Sequence, residues 1–153
     1  MLFVCTGNTC RSAMAEAIAR AMAAHRGLST ASFESAGTSA WDGAPASDGA
    51  LLVGIERKLD LDAHRARALT REIVETADVI LVMGPHHAER VVALGGEGKT
   101  FLLSDYADRN TAGRAVEDPF GGNLDRYRAT ADDLEAMITR VLDRLGESRP
   151  GNG

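Results

Sequence analysis

The sequence is poor in several residue types, and each shortage removes a class of protein. Aromatics make up only 5% of it, with one Trp, two Tyr and four Phe, so no aromatic platform for stacking bases is available. There are two cysteines, Cys5 and Cys10, which rules out a secreted disulfide framework. No apolar run approaches the ~18 residues of a membrane-spanning helix. The N-terminus also lacks the basic-then-apolar layout of a signal peptide. Basic residues number 17 against 22 acidic ones, for a net charge of −5, the wrong sign for a nucleic-acid surface. The expectation is therefore a cytoplasmic, single-domain protein with no nucleic-acid or membrane partner. At 153 residues the chain is long enough to bury one good core.

The most informative stretch lies at the start. Leu2-Phe3-Val4 reads as the end of a buried strand, and from Ala13 to Ala24 a Gly- and Pro-free, Ala-rich segment reads as a helix beginning near Ser12. Between them Cys5-Thr6-Gly7-Asn8-Thr9-Cys10-Arg11-Ser12 must reverse the chain, with Gly7 and Asn8 the residues best suited to positive φ. Such a strand–loop–helix gathers backbone N–H groups and the positive helix end into a nest for a tetrahedral anion. Cys5 opens the loop. A helix N-terminus beside an Arg lowers a thiol pKa to roughly 3.5–7.5, and Arg11 offers a planar fork that matches two phosphate oxygens. Ser12 is placed to hydrogen-bond the thiolate. The chemistry implied is attack of sulfur on phosphorus, giving a phosphocysteine that water then hydrolyses. Set against this, a Cys ending a strand is most often a small core residue, and only the whole context favours the nucleophile.

The remaining chain alternates strand-like and helix-like segments. Ala31 to Ser35 reads as a weak second strand closing at Gly37, and residues 38–46 form a loop carrying Trp41. Ser47 through Leu59 reads as a helix with Leu51, Leu52, Ile55 and Leu59 on its apolar face, weakened by Gly49 and Gly54. Thr70 caps a short helix to Thr76, Val79 to Met83 is a fully apolar strand, Pro85 opens a helix to about Leu94, and Thr100 to Leu103 is a fourth strand. Asp105 to Glu117, with Gly113, reads as a long polar loop. The last helix spans roughly Asn123 to Leu145, with Tyr127, Ala131, Leu134, Ile138, Val141 and Leu145 in one stripe. A single domain over 1–146 and a frayed tail over 147–153 follow. The fold class is α/β, a small doubly wound sheet of four parallel strands with the anion loop after the first. Only four residues precede Cys5, so either the first strand is short or the natural start lies upstream.

Gly95-Gly96-Glu97-Gly98-Lys99-Thr100 imitates a nucleotide P-loop. Ala93 stands where that motif needs its first Gly, and a strand rather than a helix follows, so a turn is expected and no nucleotide. Asp118, in Asp118-Pro119-Phe120-Gly121-Gly122, reads either as a turn former or as the general acid, with Glu117 the local rival. His86 and His87 are adjacent and do not share a helix face at metal-ligand spacing. No metal or other cofactor is called for.

The loop, together with Met14-Ala15-Glu16-Ala17, Ser35-Ala36-Gly37-Thr38, His64-Arg65-Ala66-Arg67 and Asp118-Pro119-Phe120, resembles the low-molecular-weight protein-tyrosine phosphatases across nearly the whole chain. The resemblance implies that Cys5, Arg11 and Asp118 are catalytic and that residues Thr6 to Ser12 bind the phosphate. It implies that Asn8, Ser35 and His64 form a supporting hydrogen-bond chain, and that Cys5 and Cys10 can pair reversibly under oxidation. An aromatic lining one wall of the cleft would be Trp41, which read from the residues alone would cap a core edge; Phe120 joins it as a pocket residue. Thr9 stands where most tyrosine-directed members carry Ile or Leu, which is more similar to the bacterial protein-arginine phosphatases. The expected substrate is thus phosphoarginine in proteins, with phosphotyrosine the alternative, and the enzyme is expected to be a monomer. An arsenate reductase would need further cysteines downstream of Cys10, and a non-catalytic phosphate-binding module would not need both Cys5 and Asp118.

Overall fold

A computed structural model of the chain describes residues 1–28, 30–108 and 114–147. Strands β1 (Leu2–Cys5), β2 (Glu34–Gly37), β3 (Ile80–Val82) and β4 (Thr100–Leu102) form one parallel sheet in the order β2-β1-β3-β4. Helices α1 (Arg11–His25), α2 (Asp48–Arg57), α3 (Arg71–Thr76), α4 (Pro85–Ala93), α5 (Leu103–Ala107) and α6 (Leu124–Glu147) connect and follow them. The two central strands, β1 and β3, are apolar and buried throughout because both their faces are covered. Phe3, Cys5, Leu81 and Met83 point to the side packed by α1, α2 and α6. Leu2, Val4, Ile80 and Val82 alternate to the side packed by Val74 of α3 and Val91 of α4. The predicted doubly wound architecture is the one found. None of the helices among the described residues is long and apolar enough to cross a membrane.

The topology fixes where chemistry can occur. From β1 the chain passes to β2 on one side, then returns to β3 and β4 on the other. The carboxyl end of β1 is therefore the switch point, where two connections diverge and leave a crevice. Cys5 is the last residue of β1, in register with Gly37 of β2. Gly37 is required there: a Cβ on it would stand 2.4 Å from the Thr6 carbonyl oxygen and 2.9 Å from Asn8 N. The loop is thus laid directly against the backbone of β2, and it is tied there by Thr38 N–H to Cys5 O and Ser39 N–H to Thr6 O, both 2.9 Å.

Several local expectations hold and others do not. Thr70 caps α3 by accepting from Ile73 N, and Pro85 occupies the first turn of α4. On α6 the stripe from Tyr127 to Val141 is buried, with Leu145 half-buried. The Gly-rich imitation of a nucleotide loop is a turn that leads into β4, its Lys99 Nζ donating to the carbonyls of Glu75 and Ala77. The second strand lies at Glu34–Gly37, later than Ala31 to Ser35. Residues Leu103–Ala107 form a short helix where the end of a strand and the start of a polar loop were expected. Gly113 and most of the expected tail lie outside the described residues.

The face of α2 is a clear correction. Its buried residues are Ala50, Val53 and Gly54, while Ile55 is 72% exposed. The reason is Gly49, where a Cβ would meet the Tyr127 ring at 2.4 Å. The ring of α6 lies on bare helix backbone, so Ala50, Val53 and Gly54 pack inward, Leu51 and Leu59 lie half-buried at the edge of the core, and Leu52 and Ile55 turn to solvent. The glycine that weakens the helix sets its orientation.

Gly37→Ala is expected to push the loop off β2 and destabilise the fold by about 1–3 kcal/mol, the usual cost of overpacking. Inhibition by vanadate should weaken in parallel. A variant with normal melting temperature and vanadate affinity would show that the loop does not depend on this close approach.

Candidate active site

Residues Thr6 to Cys10 connect β1 to α1 around a space left for an anion. Asn8 is the residue that turns the chain, at φ 57°, a conformation Asn tolerates better than most side chains. Gly7 does not take a positive φ, contrary to expectation. Asn8 is fully buried, and three of its groups are bonded. Its Nδ2 donates to Ser12 Oγ at 2.8 Å, its Oδ1 accepts from Arg67 N at 2.9 Å, and its carbonyl accepts from His64 Nε2 at 2.6 Å. Since a carbonyl only accepts, His64 carries its proton on Nε2. The supporting chain therefore contains Asn8 and His64, while the Ser35 hydroxyl donates instead to Glu16 Oε1 at 2.7 Å and Ser35 joins the chain only through its carbonyl. Arg67 supplies a backbone N–H to the chain while its guanidinium holds Ser35 O and Glu34.

Cys5 is buried, with its sulfur 2.8 Å from Ser12 Oγ and 3.5 Å from Ser12 N. Ser12 already accepts from Asn8, so its own proton is directed at the sulfur. Burial pushes the Cys5 thiol up from its ordinary value. Against burial work the Ser12 hydroxyl, the Ser12 N–H, Arg11 and the Asn8 N–H, in that order. The sequence predicts only the lowering influences, because a cation and a helix end are visible in it and desolvation is not.

Arg11 is buried at the floor of the cleft. One arm donates to Val116 O at 3.2 Å and the other lies 3.5 Å from Asp118 Oδ2. Val116 N–H in turn donates to Met83 O at the end of β3, which pins the Asp118 segment to the sheet. Asp118 also accepts Phe120 N–H at 3.0 Å, so it serves as a turn former and still presents its second oxygen to Arg11. The cleft holds about 200 Å³ and is lined by Cys5, Thr6, Gly7, Thr9, Cys10, Arg11, Asp118 and Phe120. Trp41 is 85% exposed and absent from that lining, so it neither caps a core edge nor walls the cleft in this structure. A larger cavity of about 530 Å³, beside Glu16, Ser35, His64 and Arg67, contains none of the reactive groups.

Both cysteines are free thiols. Cys10 faces Ser47 Oγ at 3.1 Å and Tyr127 OH at 3.4 Å, partners that only the fold brings near. Burial and the Cys10 contact push Tyr127 up to about 12, so it stays a neutral phenol at neutral pH. His87, 81 residues from Thr6, lies against it at 2.9 Å. Sequence spacing carries no signal for any of these.

The model of the low molecular weight phosphotyrosine protein phosphatase family matches residues 1–150. The chain belongs to that family. Among relatives, it is 36% identical over 151 residues to a protein-arginine-phosphatase of Bacillus subtilis, covering 97% of this chain and 98% of that one. It is also 36% identical over 140 residues to the low molecular weight protein-tyrosine-phosphatase PtpB of Staphylococcus haemolyticus, covering 91% and 94%. Among solved structures, the YwlE arginine phosphatase with its cysteine changed to serine and that active-site serine phosphorylated superposes with a TM-score of 0.91. It has 35% identity and coverage of 97% and 96%. In that protein the serine oxygen stands in for the sulfur. In this phosphatase the sulfur, the anion loop, the buried Arg and the carboxylate meet in one cleft.

Removing the strongest contact that favours the thiolate should raise the Cys5 pKa. A hydrogen bond to a charged group contributes about 1.5–3 kcal/mol, so Ser12→Ala should move the pH midpoint of iodoacetamide alkylation upward by about one to two units. An unchanged or lowered midpoint would show that Ser12 does not donate to the sulfur.

Proposed function

We propose that the chain is a cysteine-dependent protein phosphatase whose substrate is phosphoarginine. What carries this reading is the convergence of Cys5, Arg11 and Asp118 on a cleft whose wall includes Thr9. Loop N–H groups and Arg11 hold the phosphoryl oxygens while the Cys5 thiolate attacks phosphorus from below. The P–N bond breaks as Asp118, acting as acid, gives its proton to the departing guanidine nitrogen. Asp118, now a carboxylate, takes a proton from water as that water attacks phosphorus. The P–S bond breaks, and phosphate and the thiolate are released.

Thr9 is half-buried and lines the cleft beside Cys10, its hydroxyl 3.8 Å from that sulfur. A phosphorylated guanidinium is planar and polar, and a short hydroxylated wall leaves it room that a longer apolar arm would fill. The relative that acts on protein arginine supports the same choice. One feature favours phosphotyrosine instead: Phe120, 72% exposed at the lip, offers an aromatic face to a ring. Residues 1–146 form the catalytic unit as one chain, since the cleft is complete within it. Its free thiols suit the cytoplasm, where they stay reduced.

The deciding experiment is kcat/KM for phosphoarginine and phosphotyrosine peptides in the wild type, Thr9→Ile and Asp118→Asn. The wild type should prefer phosphoarginine, and Thr9→Ile should shift the ratio toward phosphotyrosine by about 10- to 200-fold. Asp118→Asn should lower peptide turnover by roughly 10²–10⁴-fold and spare nitrophenyl phosphate, whose leaving group needs less proton assistance. A ratio unmoved by Thr9→Ile would return the enzyme to the tyrosine reading.

Cys5 and Cys10 both line the cleft, and we read Cys10 as the thiol that traps oxidised Cys5. Peroxide oxidises Cys5 to the sulfenic acid, and Cys10 condenses with it to a disulfide with loss of water. In Cys10→Ser the untrapped sulfenic acid meets excess peroxide and goes on to the sulfinic acid, which dithiothreitol does not reduce. Under excess peroxide the wild type should therefore be inactivated reversibly and the Cys10→Ser variant irreversibly. Full recovery of Cys10→Ser would remove Cys10 from this role.

A further inference from the structure

His87 touches the anion loop and has no part in the chemistry above. It is the third residue of α4 and fully buried, and its Nε2 lies 2.9 Å from Thr6 Oγ1. Its other ring nitrogen, Nδ1, is buried with no hydrogen-bond partner among the described residues. This lone gap selects the tautomer. A proton on Nδ1 would strand a buried donor, which folded proteins rarely tolerate, whereas a proton on Nε2 leaves only a bare lone pair. Nε2–H therefore donates, and Thr6 Oγ1 accepts. A charged imidazolium would strand the same Nδ1–H. Burial first, then the neighbouring His86 and Arg11, push His87 down to about 4, with Asp118 opposing. The ring is neutral wherever the enzyme works near neutral pH.

We propose that His87 is a positioning residue for the phosphoryl group: it occupies the Thr6 oxygen from behind and so directs the Thr6 hydroxyl proton onto a phosphoryl oxygen in the cleft. Thr6 is exposed and lines the cleft with Cys5 and Arg11. With its oxygen already accepting from the imidazole, its proton needs an acceptor. A phosphorylated guanidinium side chain offers N–H groups, so the acceptors it brings are the phosphoryl oxygens. The hydroxyl then adds one side-chain donor to the backbone N–H groups and Arg11, and α4 becomes part of the oxyanion site without touching substrate.

The inference rests on the phosphatase reading, and its test separates the two. Vanadate inhibition and kcat/KM for nitrophenyl phosphate are measured in the wild type, Thr6→Val, His87→Leu, His87→Gln and the Thr6→Val/His87→Leu pair. Thr6→Val, a substitution at an exposed site, should weaken vanadate binding and lower kcat/KM by about tenfold or more. His87→Leu should do the same, and the pair should be no worse than the poorer single variant. His87→Gln, whose amide N–H reaches where Nε2–H did, should recover most of the loss. A merely structural His87 would give losses that multiply in the pair, with no rescue by Gln, and either result overturns the proposal. If His87→Leu does not fold, Thr6→Val decides alone: wild-type vanadate affinity in that variant rejects the role. A wild type that fails to hydrolyse nitrophenyl phosphate would instead reject the phosphatase reading itself.

Discussion

The site depends on one buried residue held in an unfavourable backbone conformation. Asn8 at φ 57° bends the loop so that it can surround an anion, and a left-handed conformation costs a side-chain-bearing residue roughly 1–2 kcal/mol. Its bonds to Ser12, Arg67 and His64 offset that cost. Each of these also transmits something. The Ser12 bond turns a hydroxyl toward Cys5, while the bonds from Arg67 and His64 anchor the loop to the segment that follows α2. Removing the Asn8 amide would release the loop and leave the Ser12 hydroxyl free to turn away from the sulfur.

Around that residue the electrostatics oppose one another by design of the fold. The sheet buries Cys5, which disfavours its anion, and the loop restores the balance with donors aimed at the sulfur. Arg11 is shared: one arm steadies Val116 and the other faces Asp118. An arriving phosphoryl group would compete with Asp118 for that second arm. The contact keeps Asp118 beside the cleft, where the acid role proposed for it would be exercised. Its carboxylate is half-exposed, so the attraction across 3.5 Å is screened and easily exchanged.

Much of this was legible in the sequence because it depends on local chemistry. A strand, an anion loop and a helix follow one another within twenty residues, and Thr70, Pro85 and the α6 stripe announce themselves by residue type and spacing. What escaped reading depends on approach between distant segments. The inward face of α2 follows from the Tyr127 ring resting on Gly49, the need for Gly37 from the Thr6 carbonyl beside it, and the contact of His87 with Thr6 from α4 crossing the loop. Ser35 and Trp41 show the other limit. Their positions match a motif, but the serine bonds Glu16 and the Trp points to solvent.

The central claim is that sulfur, not water, first attacks phosphorus, and the covalent intermediate can be sought directly. Enzyme mixed with a phosphoarginine peptide is quenched in acid within a turnover, digested, and mapped by mass spectrometry. The account predicts a phosphoryl group on the Cys5 peptide, present in the wild type, enriched in Asp118→Asn loaded with nitrophenyl phosphate, whose departure needs little acid while the later hydrolysis is slowed, and absent from Cys10. Turnover with no phosphoryl group on Cys5 under conditions that trap the intermediate would contradict it, since a single attack by water leaves the sulfur bare.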